Sequence, residues 1–162
     1  MPGERIVMGQ QRNPEAVLAA LGAFPDELGR AIDGYAPEDL VRPGQDGGWG
    51  VVEVLAHLRD WEEIFLDRAR AIVEQEHPYL PAYDDELWPI ERDYRGQNPL
   101  RTLEHFRELR GRLMAFLQGL PAEAWRRVGN HGMYGEISLL WLANHMVEHD
   151  QKHLEQVRDV LG

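Results

Sequence analysis

Asn144-His145-Met146-Val147-Glu148-His149-Asp150-Gln151-Lys152-His153-Leu154-Glu155-Gln156-Val157 carries three of the chain's seven histidines at intervals of four. On an α-helix, residues four apart lie one turn above each other on the same face. His145, His149 and His153 therefore form a ladder of imidazoles pointing one way. Neutral imidazole is the commonest protein ligand for transition metals, and ligands one helical turn apart recur in helical metal sites. A ladder on one helix cannot close a site by itself, so a further ligand has to come from a facing helix.

Three other segments have the periodicity to supply that partner. Asn13-Pro14 is a good helix start, and Val17, Leu18, Leu21, Phe24, Leu28 and Ile32 follow at three- and four-residue spacing. Pro25 implies either a kink or two shorter helices there. A second long helix is expected from Trp49 or Gly50 to about Glu76, carrying Val51, Val54, Leu55, Leu58, Trp61, Phe65, Leu66 and Ile72. His77-Pro78 ends it, because a residue preceding proline avoids the helical region. Asn98-Pro99 repeats the start signal for a third helix ending at Gly119. The last helix is expected from about Glu136 to Leu161. Four amphipathic helices without a convincing strand predict an all-α, four-helix bundle in one domain spanning 1–162. Residues 1–13 read as a loosely held arm. Residues 77–97 form a long connection, with a helical turn expected around 84–92, that covers something.

Composition narrows the chemistry. Cysteine is absent, so any metal site must use His, Asp or Glu. The 17 Lys and Arg stand against 28 Asp and Glu, a net charge of −11. That balance disfavours nucleic acid and anionic membranes as partners. No apolar run approaches the roughly 20 residues of a membrane span, and the N-terminus lacks the pattern of a signal peptide, so a cytoplasmic location is expected.

In a bundle, metal sites form in the core from side chains on facing helices. His57, on the border of the second helix's buried stripe, is the candidate partner of the ladder. Three imidazoles from two helices would leave coordination room for solvent, as catalytic three-ligand sites do. Glu148 and Asp150 are the nearest carboxylates in sequence and are expected on a solvated face. Asp60 and Glu62 are placed to orient a ligand. Trp61, Phe65, Phe106 and Phe116 read as core.

Three stretches also resemble one family. Trp49-Gly50-Val51-Val52-Glu53-Val54-Leu55-Ala56-His57-Leu58 resembles the W-S-x-x-E-x-L-x-H-L segment of DinB-like (DinB/YfiT) proteins. His131-Gly132-Met133-Tyr134-Gly135-Glu136-Ile137-Ser138-Leu139-Leu140 resembles that family's H-x-x-x-G-x-x-T-L lead into the last helix. His149-Asp150-Gln151-Lys152-His153-Leu154-Glu155-Gln156-Val157 resembles its H-D-x-x-H-x-x-Q-I ending. Order and spacing agree from about residue 14 to 161. The resemblance implies an up-up-down-down bundle, a homodimer, and zinc or nickel held by His57, His149 and His153. It also implies chemistry on a small-molecule substrate, by a metal-dependent hydrolase or a thiol-dependent S-transferase using bacillithiol, mycothiol or glutathione. Gly50 departs from the family's frequent Ser, which weakens a helix cap there. His145 is extra to the implied ligand set and is expected to be a surface, packing or supporting residue.

Two other readings compete. His145-Met146-Val147-Glu148-His149 fits the H-x-x-E-H pattern of inverzincin metalloproteases. The other is a non-enzymatic bundle, with a structural metal or as a stress-linked interaction protein.

Overall fold

The computed structural model describes residues 11–162, so the expected N-terminal arm lies outside the described residues except for its last three. There the Arg12 backbone is fastened to the last helix. Its N–H donates to Asn144 Oδ1 at 2.9 Å, and its carbonyl accepts from Asn144 Nδ2 at 3.0 Å.

In chain order the helices are α1 (Pro14–Ile32), α2 (Pro37–Val41), α3 (Val51–Glu74), α4 (Trp88–Glu91), α5 (Pro99–Gln118) and α6 (Leu139–Leu161). The long ones, α1, α3, α5 and α6, build the bundle. Caps set three of their starts: Asn13 Oδ1 accepts from Ala16 N–H, Asn98 Oδ1 from Arg101 N–H, and Ser138 Oγ from Trp141 N–H. At Gly50 the chain instead turns the cap around. The Gly50 N–H donates to Glu53 Oε1 at 3.0 Å. A Cβ at position 50 would overlap the Arg42 carbonyl oxygen, so the close approach of that backbone explains glycine here.

The all-α, four-helix bundle is as expected, and the described residues add three short strands where the sequence pattern shows none convincing. Strand β1 (Tyr79–Leu80) pairs in parallel with β2 (Val128–His131), which pairs antiparallel with β3 (Gly135–Ser138). Residues 136–138, expected in the first turn of the last helix, are taken up by this hairpin, and Ser138 then caps α6. The small sheet has a positional role. It ties the 77–97 connection to the end of the bundle and folds it over α3 as a hood, in which the expected helical turn is α4.

Helix directions follow from two apolar clusters. The start of α1 and α6 meets the end of α3 and α5 in one: Val17, Leu21, Ile72, Leu113, Leu142 and Met146. The other joins Phe24, Leu28, Leu55, Leu103, Leu154 and Val157. Thus α1 and α6 run one way while α3 and α5 run the other, an up-down-down-up bundle and not the up-up-down-down arrangement expected from the resemblance. The physical reason is the connection after α3. It returns along a helix about 36 Å long, so α5 begins beside the beginning of α3.

Between the two clusters lies a charged layer. Arg110 is buried, and all five of its N–H donors are used. Nε and Nη2 donate to Glu62 at 2.6 and 2.9 Å, and Nη1 and Nη2 donate to Asp150 at 2.9 and 3.0 Å. Nη1 also donates to the Leu21 carbonyl at 2.9 Å. That carbonyl is free because the residue four positions on is Pro25, which has no N–H. Helix α1 therefore runs unbroken through Pro25, and the acceptor that Pro25 releases is bonded by α5. Phe24 and Phe106 lie 5.6 and 5.0 Å from the guanidinium. Asp150, expected on a solvated face, is 2% exposed. Burial pushes its carboxyl up to about 6 against the pull of Arg110, which it shares with Glu62.

Breaking a buried ion pair from one side leaves uncompensated charge. Arg110→Met is expected to lower stability by about 3–5 kcal/mol in urea unfolding. Replacing Arg110, Glu62 and Asp150 together with apolar residues of similar volume is expected to recover most of that loss.

Candidate metal centre

The ladder and its partner meet under the hood. His57, on α3, is held with its ring 4.6 Å from that of His153 and 5.3 Å from that of His149. The rings of His149 and His153, one turn apart on α6, are 4.5 Å apart. One nitrogen from each of the three lies within 4.8 Å of the others. The Nε2 atoms of His57 and His149 face each other at 3.3 Å. A tetrahedron with metal–nitrogen bonds of about 2.0–2.1 Å has edges of about 3.3 Å. The donor set therefore suits a borderline divalent ion, and this pair already stands at ligand spacing.

Electrostatics favour the same use. Burial, joined by the neighbouring His153 and Lys152, lowers His57 to about 3. Burial lowers His153 to about 4 and His149 well below the ordinary histidine value. All three imidazoles are neutral at pH 7 and keep a nitrogen lone pair for a metal. For His153 the tautomer is set locally. Gln156 Oε1 lies 2.8 Å from Nδ1, so it accepts that proton and leaves Nε2 as the donor atom.

The walls come from α3, from Trp49 just before it, and from the hood. Trp49 packs 5.2 Å from His57, and Phe65 packs edge-on 5.5 Å from His149. Trp61 is 6.4 Å from both rings. It thus lines the site, although its spacing reads as core. Its Nε1 donates to Asp85 Oδ2 at 2.8 Å, and the same oxygen stands 3.8 Å from His57 Nδ1. Asp85 belongs to the hood, and no motif marks it; only the fold brings it to His57. The carboxylates placed by spacing go elsewhere. Asp60 accepts from Arg59, Arg92 and Tyr94, and Glu62 from Arg110. Glu148 is half-buried and reaches toward Arg12 at 4.0 Å.

His145 is not in the three-nitrogen group. It stacks on Trp141 at 4.9 Å with rings 15° apart, beside Tyr134 and Phe65. Next to it His131 closes the β2–β3 turn, its Nδ1 accepting from the backbone N–H of Met133 and Tyr134 at 2.9 and 3.2 Å.

These observations define a class: a helical bundle with three neutral imidazoles, from two facing helices, gathered beneath a hood. The comparisons with known proteins bear on the fold and the family. The sequence profile of the DinB superfamily matches residues 11–157, and the chain belongs to that superfamily. It is similar to "Putative metal-dependent hydrolase YfiT" of Bacillus subtilis, with 28% identity over 82% of this chain and 79% of that protein. It is similar also to "Putative metal-dependent hydrolase OB0413" of Oceanobacillus iheyensis, with 23% identity over 98% of this chain and 95% of the relative. Among solved structures, YfiT from Bacillus subtilis, a four-helix bundle of unusual topology, superimposes with a TM-score of 0.83. That match has 25% identity and covers 96% of this chain and 89% of the other. No helix among the described residues is long and apolar enough to cross a membrane.

The His131 turn needs an unprotonated Nδ1, and burial, with Arg68 nearby, lowers its pKa to about 4. Between about pH 6.5 and 4 the unfolded chain takes up a proton that the folded turn refuses, so stability falls as pH falls through that window. In an NMR titration the His131 ring is expected to show no inflection between pH 8 and 5. His131→Ala is expected to remove its share of the acid sensitivity.

Proposed function

We propose that His57, His149 and His153 bind one divalent ion, zinc or nickel, and that the protein is a metal-dependent hydrolase acting on a small molecule. The observation that carries this reading is the convergence of three neutral imidazole nitrogens, within 4.8 Å of one another, from α3 and α6. The names of the relatives support the same reaction class. An ion held there would supply Lewis acidity and an activated nucleophile at neutral pH. The chain's own residues do the rest. Gln156 fixes the tautomer of His153, while Trp61 and Phe65 exclude bulk water from one side. Asp85, beside His57 and bonded to Trp61, is positioned to accept a proton at Oδ2. Three protein ligands leave a coordination position open, as hydrolytic sites require.

A thiol-dependent transferase reading stands beside this one. The chain has no cysteine, so a nucleophilic sulfur would come from bacillithiol, mycothiol or glutathione. The two are separated by asking whether turnover of activated ester and amide substrates needs added thiol. A homodimer and a cytoplasmic location remain part of the proposal. Sedimentation of the purified protein tests the first, and cell fractionation tests the second.

Elemental analysis tests the metal directly. Wild type is expected to retain stoichiometric zinc or nickel after dialysis. His57→Ala, His149→Ala and His153→Ala are each expected to lose it, and His145→Ala to keep it. The inverzincin reading predicts the opposite for His145 and His153. Gln156→Leu is expected to bind the metal about 10–100-fold more weakly in a competition assay with a chromogenic chelator. Full metal content in His57→Ala would refute the site.

A further inference from the structure

The candidate ligands differ in how their far nitrogens are held. His153 has its partner on its own helix, where Gln156 Oε1 lies 2.8 Å from Nδ1. His57 has none on α3. Among the described residues its Nδ1 makes no hydrogen bond, and the carboxylate that stands toward it, Asp85 Oδ2 at 3.8 Å, comes from the hood. That distance lies beyond the roughly 2.7–3.2 Å of an N–H···O bond.

The other nitrogen of the ring governs whether this gap closes. His57 Nε2 faces His149 Nε2 at 3.3 Å, so Nε2 is the atom on the ligand side. A neutral imidazole has one N–H and one lone pair. Committing the Nε2 lone pair to a cation places the ring's proton on Nδ1, facing Asp85. The cation also draws electron density from the ring, which strengthens Nδ1–H as a donor, and it attracts the carboxylate.

The segment that carries Asp85 is built to respond. On one side of it β1 pairs with β2, and Arg68 Nη2 donates to the Pro81 carbonyl at 2.7 Å. On the other side Tyr94 Oη and Arg92 Nη1 donate to Asp60 Oδ2 at 2.5 and 3.0 Å. Residues 82–87 lie between these anchors, and all of them except Asp85 are exposed. Among the described residues, their one hydrogen bond to the four long helices runs from Trp61 Nε1 to Asp85 Oδ2. Asp85 is the clasp of the hood, and the next group within its reach is a metal ligand.

We propose that Asp85 couples the hood to the metal centre: it is a positioning residue that accepts the Nδ1–H of His57 when an ion is held by Nε2, closing residues 82–87 over the site. This inference rests on the metal-site reading above and adds a linkage to it. Whatever factor the closed hood contributes to metal affinity, a bound ion contributes to hood closure.

Amide hydrogen exchange at residues 84–88, with and without zinc, tests the coupling. In wild type, zinc is expected to slow these amides by about tenfold or more, beyond any slowing in α5. Asp85→Ala, saturated with zinc, is expected to lose that response. It is also expected to bind zinc about 10–100-fold more weakly in the chelator competition. Gln156→Leu is the control: weakened from α6, it is expected to show the wild-type response once saturated. Cobalt-substituted wild type and Asp85→Ala are expected to share one visible spectrum, whereas a changed spectrum makes Asp85 a ligand and overturns the positioning role. Zinc bound at full stoichiometry without slowing at 84–88 overturns the coupling and leaves the metal site standing. So does a full response, or undiminished affinity, in Asp85→Ala. Equal slowing in α5 reads as general stabilisation and overturns the coupling too. Failure of wild type to bind zinc overturns the metal site and the coupling together. Should Asp85→Ala fail to fold, the wild-type comparison still decides.

Discussion

The structure depends on how the buried guanidinium of Arg110 is satisfied. Five donors on one planar group reach three other helices: α1 through the Leu21 carbonyl, α3 through Glu62 and α6 through Asp150. A hydrophobic contact tolerates a slide of one residue along a helix; this set of bonds does not. Charge-assisted, paired bonds have narrow geometry, and leaving any member unbonded in the core is expensive. Pro25 belongs to the same device, since its missing N–H releases the α1 carbonyl that Arg110 takes. The charged layer therefore sets the axial register of all four helices between two apolar clusters that would accept several.

That register is what the candidate metal centre needs. Asp150 follows His149 directly, and Glu62 stands five residues after His57. The carboxylates face into the bundle toward Arg110, while the imidazoles face the hood. Locking Glu62 and Asp150 to one guanidinium thus fixes the height of His57 against His149. The 3.3 Å approach of their Nε2 atoms is one result. Metal ligation asks for positions accurate to a few tenths of an ångström, and helix packing alone is looser than that.

The hood completes the arrangement. The parallel pairing of β1 with β2 pins residues 79–80 to the hairpin that leads into α6. The chain between that pin and α4 then crosses α3, bringing Tyr83 and Asp85 over Trp61. This one segment approaches His57 through Asp85 and holds Arg68 through the Pro81 carbonyl.

Much of this was legible in the residues. Periodicity and the Asn-Pro starts predict the four long helices, because burying an apolar stripe is a local demand written every three or four positions. The four-residue spacing of His149 and His153 puts them on one face for the same reason. The family motifs point to His57, which geometry then brings within reach of both. Helix direction, the small sheet, the burial of Asp150, and the parts played by Arg110, Asp85, Gln156 and Arg68 were decided only by the tertiary structure. Each rests on contact between segments distant in sequence, where spacing has no bearing. Asp150 shows the difference: beside His149 in a charged stretch it reads as a solvated carboxylate, and only the arrival of Arg110 from α5 makes its burial possible. The sequence by itself determined which helices form and which imidazoles share a face. The packing of those helices, set by one buried cation, decided what the imidazoles face.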